Sequence, residues 1–214
     1  MSTLAFEVVD ARAEPYAAVP TLMFRLRADE TSGDPVHALA LRAQLRIEPQ
    51  RRHYSADEED RLYEQFGPTP QWGESLRPFL WTHVATMLPG FTGTTEFDLP
   101  VECTYDFEVT AARYLHALGD GEIPLVFLFS GTQFTHGERG FNALPVAWNL
   151  EATYRLPVQA WRDMMDLYYP NTAWLCLRKD IFERLRRYRS ELGLATWEAA
   201  LESLLQEAEG KVTM

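Results

Sequence analysis

GDGEIPLVFLFSGTQF, residues 119–134, is the stretch whose reading decides the fold class. Gly119-Asp120-Gly121 is a turn signal, and Pro124 leads into the unbroken apolar run Leu125-Val126-Phe127-Leu128-Phe129. Ser130-Gly131 ends the run. An uninterrupted apolar segment of this length, bounded by turn residues, is the pattern of a strand with protein on both faces. The run therefore calls for a cover over its outer face as well as a core beneath it.

Outward from this strand the pattern alternates. Leu22, Phe24 and Leu26 alternate with Met23, Arg25 and Arg27. Leu39, Leu41, Ala43, Leu45 and Ile47 alternate with Ala40, Arg42, Gln44, Arg46 and Glu48. A period of two puts one set in a core and leaves the arginines to solvent. The turn signal Thr31–Pro35 between them predicts an antiparallel pair. Phe6 and Val8 supply an earlier strand, shorter strands are expected around Trp81 and Val84 and over 97–101, and alternation returns at Trp148, Leu150, Ala152, Tyr154 and Leu156.

Helix signals lie between and after these segments. Ser55-Ala56-Asp57-Glu58 is a capping box opening a short helix that Gly67-Pro68 ends. The composition of 109–118 favours a second short helix with Gly119 as its cap. From Pro157 onward the chain reads as helical: Trp161, Met164, Met165 and Tyr168 before Pro170, then Phe182, Leu185, Tyr188 and Leu192 before Gly193. A last helix starts at the N-cap Thr196 and is expected to fray after Gln206. Such short helices do not persist in water alone and must dock.

These pieces predict an α+β fold: an antiparallel β-sandwich, of which the immunoglobulin-like form is one candidate, with C-terminal helices packed on one sheet. The expected division is a sandwich over 1–156 with a helical insertion near 55–66, and a helical segment over 157–209 packed on it, together one cooperative unit. The C-terminal helices, apolar on one side, are the expected cover for the outer face of Leu125–Phe129.

Composition bounds the function. With 214 residues and 46% apolar content the chain can bury a core without staples. A net charge of -11 argues against a general affinity for nucleic acid or anionic membrane. Cys103 and Cys176 form no ligand spacing, and no basic-then-apolar leader or long apolar span is visible. A cytoplasmic protein with reduced thiols is expected.

Chemistry-bearing patterns are few. His37, His53, His83, His116 and His136 stand at no metal-ligand spacing, so no metal and no cofactor is expected. A meeting of His116 with Cys103 is the remaining site reading, against a plain buried thiol. Ser130 lacks the glycines of a nucleophile elbow, and Gly119-Asp120-Gly121 lacks the lysine of a phosphate loop. Asp106 and Glu108 read as a polar strand face. Arg178, Arg184, Arg186, Arg187 and Arg189, with Lys179, crowd a chain that is otherwise acidic. They read either as a docking patch for an acidic or phosphorylated partner or as a solvated face balanced by the acidic last helix. Trp148, Tyr154, Trp161 and Tyr168 are candidate pocket aromatics between sheet and helices, against a plain core role.

The segments around 98–109, Tyr114–Phe134 and Trp161–Leu177, with Ala195–Leu201, resemble an uncharacterised actinobacterial family of conserved hypothetical proteins often encoded near [NiFe]-hydrogenase genes. The resemblance spans nearly the whole chain and implies an accessory or assembly role, with no functional residue to carry over. Two functions are thus expected in order: a non-enzymatic protein-binding or accessory module, such as a hydrogenase-associated assembly factor, with a protein partner; then a small-molecule binder or enzyme using an aromatic-lined pocket.

Overall fold

The computed structural model describes residues 4–104, 109–137, 140–170, 172 and 176–212. The chain divides into two compact units, Met1–Trp174 and Leu175–Met214.

In the first unit, β1 (Leu4–Ala13), β2 (Thr21–Glu30) and β5 (Thr94–Glu102) form an antiparallel sheet in the order β1-β2-β5. The second sheet holds β3 (Val36–Ile47), β4 (Phe79–Phe91), β6 (Glu122–Gly137), β7 (Gly140–Pro145) and β8 (Glu151–Pro157). Its order is β4-β3-β6, with β8 bonded to the first half of β6 and β7 to the second. The chain crosses between sheets at β2–β3, β4–β5 and β5–β6. That is an immunoglobulin-like Greek key, with β4 placed beside β3 instead of beside β5.

The alternation in the sequence becomes the core. Leu22, Phe24 and Leu26 from one sheet and Leu41, Leu45, Phe127 and Phe129 from the other are buried together. Phe24 meets Phe127 edge-on at 5.2 Å, and Phe6 meets Phe129 at 4.4 Å. Each such side chain contributes about 1.5–3 kcal/mol on burial, so this interface dominates the stability of the unit.

β2 and β3 do not pair with each other, contrary to the expected hairpin. The Thr31–Pro35 turn instead carries the chain from one sheet to the other. Gly33 takes a left-handed φ of 85° there. The buried Glu30 carboxylate accepts from the Ser32 and Gly33 N–H groups at 3.1 Å each and from the Ser32 hydroxyl at 2.7 Å. A turn pinned in this way lets both apolar faces point into one core.

Among the described residues the first unit also holds α1 (Ala56–Phe66), α2 (Trp72–Ser75), α3 (Thr110–Ala117) and α4 (Val158–Tyr168), and the second holds α5 (Lys179–Glu191) and α6 (Trp197–Val212). The capping box of α1 forms as predicted, with Ser55 and Glu58 bonded reciprocally. Gly119 is not a left-handed cap for α3; its N–H is used by Glu58. Of the C-terminal helices, α4 packs on β1, β2 and β8, with Val158, Trp161, Met164 and Met165 in the core. It closes the side of the sandwich where β1 runs beside β8.

Three local expectations change. Trp148 stands in the turn before β8 and is 90% exposed. β7 continues the sheet where no strand is expected from residue patterning, and α6 runs on to Val212 past Gln206. Asp106, Glu108 and the link at Trp174-Leu175 lie outside the described residues.

Gly131 is where β6 comes closest to β3. Its φ is +149°, and a Cβ there would lie 2.0 Å from the Ala40 carbonyl oxygen. Gly131→Ala is expected to cost about 2 kcal/mol or more in chemical denaturation, from overpacking against rigid backbone. Gly33→Ala, which meets open space, should cost only about 1 kcal/mol from its left-handed φ. Equal losses at the two sites would contradict this.

Candidate functional site

A buried polar cluster sits at one end of the sandwich. The Arg52 Nη2 donates to Glu58 Oε1 at 2.8 Å and to the Asp120 carbonyl at 3.0 Å. The Glu58 carboxylate also accepts from the N–H groups of Gly119 at 2.7 Å and Ser55 at 3.0 Å. Burial pushes its pKa up, but these N–H donors and Arg52 outweigh that and hold it below the usual carboxylate range. Beside it, Tyr54 donates to the Pro49 carbonyl at 2.7 Å and its hydroxyl lies 2.9 Å from that of Tyr114. Burial raises both phenols, Tyr114 to about 12, so they stay neutral hydrogen-bonding groups. The cluster ties α1 to the turn that opens β6, and its hydrogen bonds are spent on the fold itself.

The other sequence-named groups do not assemble a reactive site. Cys103 is buried at the end of β5 with its pKa pushed up to about 12, which keeps it an inert thiol. His116 on α3 packs edge-on to Trp161 at 4.6 Å, and burial with the nearby Arg162 lowers its pKa to about 4. Ser130 is exposed on the outer face of β6. Among the described residues no group of three His, Cys, Asp or Glu side chains is placed to hold a metal ion. Among these residues no helix is long and apolar enough to cross a membrane.

The four candidate pocket aromatics are spread apart by environment. Trp161 is buried in the core, and Tyr154 packs edge-on to Phe24 at 6.0 Å. Tyr168 donates to the backbone carbonyls of Glu14 and Ala17, and Trp148 points to solvent.

The outer faces of the two sheets differ sharply in chemistry. On β1-β2-β5 the outward side chains form a charge ladder. Arg25 and Arg12 share Asp98 at 2.5 and 2.9 Å, and Arg27 pairs with Glu7 and with Asp29. Such pairs contribute little stability each, but they leave Arg12, Arg25 and Arg27 paired on this face, with Met23 and Pro100 in the row of Arg12.

On the five-stranded sheet the outward register places Leu80, Arg46 and Val126 in one row, and Met87, Ala40 and Thr132 in another. Val126 is 7% exposed, Leu128 is half-buried, and Leu80 and Met87 are 45% and 63% exposed. Arg42 and Arg46 stand on this face with no carboxylate in ion-pair reach among the described residues. A shallow trough of about 570 Å³ runs between Ala40, Arg42, Ala85, Met87, Ser130 and Thr132, with Gly131 in its floor. It exists because β3, β4 and β6 all place small side chains outward at this level. Reading the outward positions of β3 only as solvent missed it; the signal was Ala40, an alanine where a solvated strand carries charge.

In the second unit, Arg178 precedes α5, and Arg184, Arg186, Arg187 and Arg189 lie on it. Three of them have partners within the unit. Arg178 pairs with Asp180 at 3.0 Å, Arg186 with Glu183 at 2.9 Å, and Arg189 lies over the Trp197 ring at 4.0 Å. α6 packs beside α5 through Tyr188, which bonds Ser203 and Glu207 at 2.7 and 3.1 Å, and through Phe182 against Trp197.

The model of one protein family, described as a family of unknown function (DUF6084), matches residues 1–213. No curated protein matches. Among solved structures, a putative late embryogenesis abundant protein aligns at 15% identity over 72% of both chains, with a TM-score of 0.32. A β-glucosidase from Kluyveromyces marxianus aligns at 8% identity over 72% of this chain and 15% of that one, with a TM-score of 0.26. β-Glucosidase 3B from Thermotoga neapolitana gives 14% identity, 72% and 17% coverage, and a TM-score of 0.22.

The buried cluster and His116 both contribute to the acid stability. His116, with its folded pKa lowered to about 4, contributes stability that is full above its unfolded value of about 6.5 and is lost as pH falls toward 4. Glu58, also lowered, contributes stability above about pH 4.3 that is lost at lower pH. In pH-dependent denaturation, His116→Phe should flatten the window between about 6.5 and 4. Glu58→Gln should flatten the window below it and cost about 3 kcal/mol at neutral pH, from a broken buried pair. A Glu58→Gln protein as stable as the parent at pH 7 would refute the role of that cluster.

Proposed function

This chain belongs to the DUF6084 family, and we propose that it is a non-enzymatic protein-binding module working through the outer face of its five-stranded sheet. One observation carries this reading. The two sheets of one sandwich have different outer faces: a ladder of paired arginines and carboxylates on one, and on the other exposed Leu80 and Met87 beside Arg42 and Arg46, which make no ion pair among the described residues. Protein interfaces favour such a mixture of apolar side chains, methionine and arginine over lysine and glutamate. In a chain of net charge -11 these two arginines also select for an acidic partner surface.

The finer reading is an accessory or assembly factor for a [NiFe]-hydrogenase in an actinobacterium. It is supported by the resemblance of the segments around 98–134 and 161–177. The other reading, a small-molecule site lined by Trp148, Tyr154, Trp161 and Tyr168, has less support, because those rings divide between the core and open solvent.

Affinity purification of the tagged chain from its native cells tests the proposal. The parent protein and an Arg27→Ala control on the other sheet should recover the same defined partner. Met87→Asp with Leu80→Asp should lower its recovery about tenfold or more while leaving the melting temperature within a few degrees. Repeated recovery of the protein alone, or a partner retained by the double variant, would overturn the reading. A hydrogenase subunit or maturation protein among the partners would support the finer one.

A further inference from the structure

We propose that the free edge of β4 takes up an extended acidic segment of a partner protein as an added strand. This rests on the reading of the five-stranded sheet as the binding face, and it names the partner's form and charge. β4 is the outermost strand beside β3, and among the described residues the backbone of 82–89 bonds to β3 alone. Every second residue there turns its N–H and C=O groups to solvent. Natural sheets commonly block such an edge with charge. In the three-stranded sheet, the outer strand β1 carries Glu7, Asp10 and Arg12, and β5 carries Glu96, Asp98 and Glu102. β4, FLWTHVATMLPGF, runs for 13 residues without Lys, Arg, Asp or Glu. An unguarded edge of that length is a template for another strand.

Burial across the sheet points the same way. The inward register sets Thr82, Val84 and Thr86 beside Leu45, Ala43 and Leu41. The three β3 residues are buried, whereas their β4 neighbours are only half-buried. The core thins at β4, and a further strand with apolar residues on its inner side would continue it.

Charge identifies the occupant. The outward row of β4 is Leu80, His83, Ala85, Met87 and Pro89, with Arg46 of β3 beside Leu80 and Arg42 beside Ala85. The carboxylates that the strands of this sheet carry, Glu122 and Glu151, stand on β6 and β8, on the far side of β3 from the open edge. Toward that edge Arg42 and Arg46 therefore meet no negative charge. Ala85, a single methyl, leaves Arg42 a path over β4, about 4.8 Å wide, to the outer side of an added strand. An Asp or Glu there gains a charge-assisted hydrogen bond. A second copy pairing β4 on β4 supplies no carboxylate, so it leaves these arginines unmet. The complement is a segment of another protein that alternates apolar residues, turned to the core, with acidic ones turned outward.

Fluorescence anisotropy tests this, with the full chain at up to about 300 µM to cover micromolar affinity. The probe is a labelled peptide of about ten residues that alternates valine and glutamate, and it should bind saturably. A peptide with lysine for glutamate, and one with the same valines and glutamates in separate blocks, should bind about tenfold or more weakly. N-methylating one alternate set of peptide amides should abolish binding and N-methylating the other set should leave it, because an added strand bonds β4 from one side only. In an Arg42→Glu/Arg46→Glu chain that melts within a few degrees of the parent, the preference for glutamate over lysine should reverse. No binding of the alternating peptide, or two N-methylated sets that behave alike, would overturn the proposal. A parent dimer that Ala85→Lys dissociates, with no peptide bound, would assign the edge to a second copy and overturn it too. Loss of the native partner by the Leu80→Asp/Met87→Asp chain without any peptide binding would refute this mode alone; retention of the partner by that chain would overturn the face reading as well.

Discussion

The two long apolar faces of β3 and β6 must be buried at the same time, and the rest of the first unit follows from that. β6 is bonded to β3 on one side and to β8 and β7 on the other, so its sixteen residues are edge-free for most of their length. Its inward Phe127 and Phe129 reach across to Phe24 and Phe6 of the other sheet. Gly131 lets the two strands keep this register where a side chain would strike the Ala40 carbonyl. Removing the glycine or the aromatic contacts would attack the same interface from opposite sides.

The polar cluster around Glu58 serves that interface at its end. A buried carboxylate is tolerated because Arg52 and the N–H groups of Ser55 and Gly119 meet it. In return α1 and the Gly119–Gly121 turn are held where β6 begins. Its ionisation is therefore a condition of the fold, and its pH response belongs to stability and not to catalysis.

Surface chemistry then divides the molecule. The three-stranded sheet pairs its outward arginines with its own carboxylates, whereas the five-stranded sheet combines exposed Leu80 and Met87 with Arg42 and Arg46, which make no ion pair among the described residues. Binding modules carry such surfaces because apolar contact supplies affinity and unmatched charge supplies selectivity.

Much of the fold was legible because strand and helix periodicity are local properties. Period-two alternation at 22–27 and 39–48 gave β2 and β3, the capping box gave α1, and the apolar run at 125–129 gave the central strand. What the sequence by itself determined was the set of elements and which side of each is apolar, since side-chain spacing along one segment settles both. Only the tertiary structure decided which strands pair. Thr31–Pro35 reads like a hairpin turn, yet it joins different sheets, because the choice depends on where two apolar faces can be buried together. It also decided that Arg42, Ala40, Met87 and Ser130, far apart in the chain, line one trough. A site made by register across β3, β4 and β6 has no signature in any one of them, for the hydrogen-bonded alignment that creates it exists only once the sheet has formed.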